Sequence, residues 1–257
     1  VTALHICDDC KIAAASELCR AGGFGIEVQS FYDPEYIDRE RNALSLHREA
    51  LTGIDSRSFH GPFGDLCPGS FDVMVREVAR TRFEQAVETA GKLGIEHLIL
   101  HHGYLPGTSK PGNWIKRSTE FWKTFLSGLP RTCHIHIENL FEHDPEILIE
   151  VIQAVNDPRL DVCLDIGHVH CHGKVNVIKW IEQLGDRIGY VHLHDNHGTA
   201  DEHLGLGEGT LPVADACHAL QTYAPDAIWG LEVSFDRMQS SLRWLLNRGL
   251  LLTSPSG

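Results

Sequence analysis

The sequence predicts an α/β protein, a (β/α)8 TIM barrel forming a single domain over residues 1–257, and two observations carry the prediction. Short β-rich runs alternate with helical periodicity eight times, and the residues able to bind metal share one parity near the end of most runs. The runs are ALHIC (3–7), GIEVQSF (25–31), SRSFH (56–60), HLILH (97–101), HIHIENL (134–140), LDVCLDI (160–166), GYVHLHD (189–195) and IWGLEVS (228–234). Eight βα units in about 250 residues is the count such a barrel requires. An open doubly wound sheet would place a glycine-rich phosphate turn after an early strand, whereas CDDCK follows the first run here.

Between the runs lie helix patterns. The clearest starts at Ser70 as N-cap and carries Met74, Val78, Ala86, Val87 and Ala90 at three- and four-residue steps, ending at Gly91 and Gly94. DPE occurs at 33–35 and 144–146, each reading as an Asp N-cap with Pro in the first helical turn. His170 and His172, in GHVHCH, read as loop residues. No Ser/Gly/Pro linker divides the chain, and the closing TSPSG reads as a loose tail.

Composition narrows the function classes. With 42% hydrophobic and 22% charged residues the chain has enough apolar material for a core and no signature of disorder. No apolar run approaches the roughly 18 residues of a membrane span, and VTALHICDDCK lacks the features of a signal peptide, so the expectation is a cytoplasmic protein with no membrane partner. The eight cysteines read as reduced thiols. Cys7 and Cys10 have a spacing shared by redox and zinc sites, but without a second pair they read as two small side chains at a strand end. A net charge of −13 repels polyphosphate, which disfavours nucleic acid as a partner.

Strand parity then locates the chemistry. Ile135 and Ile137 mark the outside and leave His134, His136 and Glu138 inside; Val162 and Leu164 leave Cys163 and Asp165; Val191 and Leu193 leave His192 and His194; Leu231 and Val233 leave Glu232. Ile26 and Val28 likewise leave Glu27, and Leu98 and Leu100 select His101 over His102. Glu27, His60, His101, Glu138, Asp165, His192 and Glu232 follow one another at intervals of 33, 41, 37, 27, 27 and 40 residues, about one βα unit each. All fall toward the C-terminal ends of strands, where barrel enzymes place their chemistry. Several buried carboxylates in one lumen raise each other's pKa unless a cation holds them ionised, and imidazoles mixed with carboxylates suit zinc, manganese, iron or cobalt better than calcium. In YVHLHDNHGTADEHLGLGEG (190–209), His192, Asp201 and His203 can supply three donors from one local segment.

At these residues the sequence resembles the xylose isomerase-like TIM barrels, the superfamily joining sugar and sugar-phosphate isomerases and epimerases with endonuclease IV. The motifs are GIE (25–27), HGPF (60–63), HHG (101–103), IEN (137–139), DIGH (165–168), HLHD (192–195), DEHLGLGEG (201–209) and LEV (231–233). The resemblance to the epimerase branch implies one catalytic metal on Glu138, Asp165, His192 and Glu232, with Glu138 and Glu232 as the proton-transferring pair. In the endonuclease branch the same four are joined by His60, His101, His168, Asp201 and His203, and the nine hold three zinc ions. All nine occur here. The early loops DDCK and GPFGDLCPGS lack the arginines with which that branch enters DNA, so the favoured expectation is a metal-dependent sugar or sugar-phosphate isomerase or epimerase, and the alternative is a zinc phosphodiesterase acting on abasic DNA. One to three zinc or manganese ions, a small sugar ligand and an open subunit number, homo-oligomer included, complete the expectation. His194, Glu27 and Trp114 are candidate substrate contacts, as are Phe63 and Tyr104, and Lys110 is a conceivable phosphate contact.

Overall fold

A two-residue period drives each strand's aliphatic parity outward onto the helices and leaves its polar parity facing the lumen. The computed structural model describes residues 3–39 and 43–251, so the TSPSG tail lies outside the described residues. Eight parallel strands, β1 (Leu4–Cys7), β2 (Gly25–Val28), β3 (Arg57–His60), β4 (His97–His101), β5 (His134–Glu138), β6 (Leu160–Asp165), β7 (Ile188–Leu193) and β8 (Ile228–Leu231), pair in chain order, and β8 closes onto β1. Each coincides with one of the β-rich runs. The runs at 134–140 and 160–166 overshoot because pairing stops at Glu138 and Asp165, where the chain turns into the mouth.

The helices are α1 (Ile12–Gly22), α2 (Pro34–Asp38), α3 (Ala43–Ala50), α4 (Val73–Lys92), α5 (Pro111–Ser127), α6 (Glu146–Val155), α7 (Ile166–His172), α8 (Val177–Leu184), α9 (Val213–Tyr223) and α10 (Met238–Asn247). Among the described residues, no helix is long and apolar enough to cross a membrane. The main core lies between this layer and the outer face of the strands, where Ile135, Ile137, Val191 and Leu193 are fully buried. Each such side chain contributes about 1.5–3 kcal/mol. A small second cluster of Ile99, Cys163 and Tyr190 plugs the lumen.

Four sequence expectations need correction. Helix α4 is capped by Asp72, whose carboxylate accepts from the Met74 amide at 2.8 Å, while Ser70 Oγ only accepts from the Asp72 amide. Its buried stripe is Ala79, Phe83, Ala86 and Ala90; Met74 and Val78 are 76% and 56% exposed. Val78 stands one position from that stripe, and one position rotates a side chain by about 100°. His170 and His172 sit on helix α7, not in a loop, because Asp165 caps its start through a 2.6 Å bond from the His168 amide. The DPE at 33–35 caps α2 as expected, Asp33 accepting from the Glu35 amide, whereas at 144–146 Pro145 is the residue that precedes α6 and Asp144, one position earlier, accepts from the Glu146 amide. All eight cysteines are free thiols, Cys7 buried at the end of β1 and Cys10 exposed.

Candidate metal centre

The strand ends bring Glu138, Asp165, His192 and Glu232 together. Nδ1 of His192 lies 3.3 Å from Glu138 Oε1, 3.2 Å from Glu232 Oε2 and 3.8 Å from Asp165 Oδ2. Ligand bonds of about 2.0–2.2 Å around a tetrahedral zinc put neighbouring donors about 3.4 Å apart, so these spacings fit a single cation. The second carboxylate oxygen of Glu138 points elsewhere, to His60 Nε2 and His101 Nε2, each at 3.2 Å. A third group follows at the rim, where Asp201 Oδ2 stands 3.3 Å from His168 Nε2 and 3.0 Å from His203 Nε2. All nine residues singled out in the sequence therefore converge on one end of the barrel.

Four of the five imidazoles are fixed from behind. His60 Nδ1 donates to the Gly61 carbonyl at 2.8 Å, His168 Nδ1 to the Asn139 carbonyl at 2.8 Å and His203 Nδ1 to the Glu232 carbonyl at 3.1 Å. His192 instead donates through Nε2 to both oxygens of Glu27, at 3.0 and 3.2 Å. Each bond commits the outer nitrogen as donor and turns the inner lone pair toward a carboxylate, the tautomer control that metal-ligating histidines receive from their surroundings. His101 differs: its buried Nδ1 has no partner among the described residues, and its ring lies under Phe63 with centroids 4.5 Å apart.

The protein alone resolves this crowding by separating charge. Burial pushes the Glu138 carboxyl up, but the facing imidazoles of His101 and His192 outweigh it and hold it well below the usual range. Glu27 and Asp165 are likewise held at about 2 against burial, the first chiefly by His192, the second by His168 and His194. Burial disfavours the charged forms of His192 and His168, yet their anionic neighbours raise both well above the ordinary imidazole value, and His203 rises to about 10. A divalent cation would replace those shared protons.

His194, Glu27 and Trp114, expected to touch substrate, do not line the mouth cavity. Glu27 is fully buried behind His192. His194 is fully buried behind Asp165, its Nε2 3.1 Å from both carboxylate oxygens and its ring stacked 4.2 Å from His203. Gly167 makes that position possible, since a Cβ there would lie 2.0 Å from the imidazole. Trp114 is 1% exposed, packed with Tyr104 and Ile147, and points its Nε1 at His102, 3.4 Å away. An aromatic on the inward face of α5 is held by the core rather than by the loop it follows. Phe63 does line the cavity; Tyr104 and Lys110 do not.

Sequence reasoning also passed over residues that hold the site. Gln29 Nε2 donates to Glu232 Oε1 at 2.6 Å and to Glu27 Oε1 at 3.2 Å, and its inward parity with Glu27 was the available signal. Asn139 brackets the Asp165 backbone, donating to its carbonyl and accepting from its amide. Asp195 is buried and accepts from the amides of Asn196, Gly207, Gly209 and Leu211, which shapes the GLGEG turn behind Asp201 and His203.

Comparison with known proteins agrees with this architecture. Protein MJ1311 of Methanocaldococcus jannaschii, an uncharacterised relative, is 28% identical over 188 residues, covering 67% of this chain and 62% of that protein; the chain thus spans less than two thirds of the curated relatives it matches. Among solved structures, a D-tagatose 3-epimerase-like protein superposes with a TM-score of 0.77 at 23% identity over 96% of both chains. The IOLI protein with a bound zinc atom gives 0.76 at 17% identity, over 96% of this chain and 97% of that one. These likenesses concern the fold. Residues 15–248 match the profile of the xylose isomerase-like TIM barrels, and the chain belongs to that family.

Proposed function

We propose that the protein is a metal-dependent sugar isomerase or epimerase that removes the proton alpha to a carbonyl. The observation that carries this reading is the set of inner-facing donors from Glu138, Asp165, His192 and Glu232, spaced as ligands of one cation, with Glu27 fixing the His192 tautomer from behind. When bound there, zinc or manganese would supply Lewis acidity that polarises a carbonyl and acidifies its neighbouring C–H. Glu138 ends strand β5 and Glu232 follows strand β8, three strands away around the barrel. One takes the carbon-bound proton and the other returns it, to the opposite face in epimerisation or, as the hydroxyl proton passes between the two oxygens of the enediol, to the neighbouring carbon in isomerisation. Gln29 holds Glu232 in place through its amide. The likeness to a D-tagatose 3-epimerase-like protein and to a zinc-bound relative supports the same reading.

The test is a screen for solvent deuterium entering ketoses with the zinc- or manganese-loaded protein. Deuterium at the carbon next to the carbonyl is expected, and its absence from every sugar tried would remove the reading.

A second reading is favoured by the division of Glu138, one oxygen facing His192 and the other facing His60 and His101, beside a complete third group at His168, Asp201 and His203. That layout suits three clustered ions and hydrolysis of a phosphodiester. Elemental analysis separates the readings: about one ion per chain with sugar exchange supports the isomerase, and three zinc ions with cleavage of an abasic oligonucleotide supports the hydrolase.

A further inference from the structure

We propose that the mouth cavity selects an uncharged, unphosphorylated sugar; this rests on the isomerase and epimerase reading and narrows its substrate class. The cavity holds about 480 Å³, a size suited to a small ligand. Asp9, Glu138, Asp201 and Glu232 contribute carboxylates to its lining, and no lysine or arginine does so among the described residues. Rim cations are already engaged. Lys11 Nζ lies 2.5 Å from Asp9 Oδ2, and Arg237 Nε lies 2.9 Å from Glu208 Oε2.

A phosphate group needs a guanidinium fork, an ammonium or the free amides of a helix start. The start of α7 opens at this rim, but the Asp165 carboxylate already accepts from the His168 amide there. Asp165, Glu138 and Glu232 together carry more negative charge than one divalent cation offsets, so the mouth stays anionic with a single ion bound. A phosphate dianion entering it meets carboxylates, while the lining imidazoles of His60, His101, His168 and His203 are already turned to Glu138 and Asp201 and the Gln29 amide to Glu232.

The rest of the wall fits a neutral sugar. Phe63 stacks on His101, and Tyr32 stacks on Phe63 at 6.1 Å, giving a continuous aromatic side. Leu140 and Val233 add apolar surface. Such surfaces take the C–H faces of a sugar ring, while Gln29 and the carboxylates address its hydroxyls.

The experiment uses the manganese-loaded protein at one ion per chain and pairs of ligands that differ only by the ester: D-fructose with fructose 6-phosphate, and D-ribulose with ribulose 5-phosphate. Calorimetric titration and solvent-deuterium exchange are both read. The free ketoses are expected to bind and exchange with an efficiency about a hundredfold above their phosphates, because the ester brings like charge to an anionic mouth. Equal or tighter binding of the phosphates would overturn the inference while leaving proton abstraction standing. Exchange with no sugar of either kind would remove the underlying reading and this inference with it. A rim cation introduced by S234K is expected to narrow the discrimination about tenfold; unchanged discrimination in a folded variant would also count against it.

Discussion

The two ends of the barrel use the same residue types in opposite ways. At the floor the groups pair off in chains: His97 Nδ1 meets His136 Nε2 at 3.0 Å, and His136 Nδ1 meets Asp161. His5 is bracketed by Ser58 Oγ and Ser56 Oγ, each at 2.8 Å. At the mouth, by contrast, donors converge, and Glu138 alone faces His60, His101, His168 and His192. The electrostatics follow. Burial pushes His5 and His97 down to about 4, keeping them neutral, whereas carboxylates pull His168, His192 and His203 up despite burial. A histidine cluster is therefore read by its topology: linear pairing marks a satisfied core, and convergence on shared carboxylates marks a candidate cation site.

The sharpest way to break this contrast is to remove one group from each end. E138Q withdraws the charge that two donor sets share, and bound zinc measured by elemental analysis should fall below one ion per chain. Sugar exchange should drop by about 10³-fold or more. H136N at the floor should leave metal content and exchange intact and lower stability by about 1–3 kcal/mol, because Asp161 and His97 lose a partner. If H136N lost metal as E138Q does, the two ends would not be distinct.

A smaller effect is expected from E27Q. Glu27 touches the site through His192, accepting from its Nε2. Losing the carboxylate weakens the tautomer control and should cost about 10- to 100-fold in metal affinity, read by competition with a chelator. Unchanged affinity would mean that the His192 tautomer is set elsewhere.

How much of this was legible follows from the physics of each feature. Strand parity is local, so all eight strands and the nine converging donors could be read from alternation together with motif order. What a side chain finds behind it is not local. Glu27, His194 and Trp114 have the composition of substrate contacts, but packing from β7, α7 and α5 buries them. Gln29 was hidden for the opposite reason, since a neutral amide carries no metal signature and matters through its 2.6 Å contact with Glu232. The start of α4 failed on phase, the apolar residues at 74 and 78 standing off the stripe that meets the core.

The floor also predicts a pH response with a definite sign. His5 titrates at about 4 in the fold against 6.5 in the unfolded chain. Below pH 6.5 the unfolded chain takes up a proton that the fold refuses, so stability falls from pH 6.5 down to about 4 and then levels for this group. The shift corresponds to about 3 kcal/mol. Urea midpoints of the metal-free protein across this range should fall with acid, and H5N should flatten the slope. An unchanged slope in H5N would show that the floor imidazole is not the group responsible.

The smallest expected effect separates two aromatics that look alike in sequence. Trp114 stands on α5 with its Nε1 directed at His102, whose Nδ1 donates to Glu142 at 3.0 Å; Phe63 lies on His101 and lines the cavity. W114F removes one hydrogen-bond donor from a buried chain and should cost about 1 kcal/mol of stability, with KM for the sugar unchanged. F63A removes the aromatic face itself and should raise KM several-fold while bound metal stays constant, because its ring covers His101 without supplying a donor. If W114F raised KM and F63A did not, substrate would enter from the α5 side, and the cavity bounded by Phe63 and Tyr32 would not be where the sugar sits.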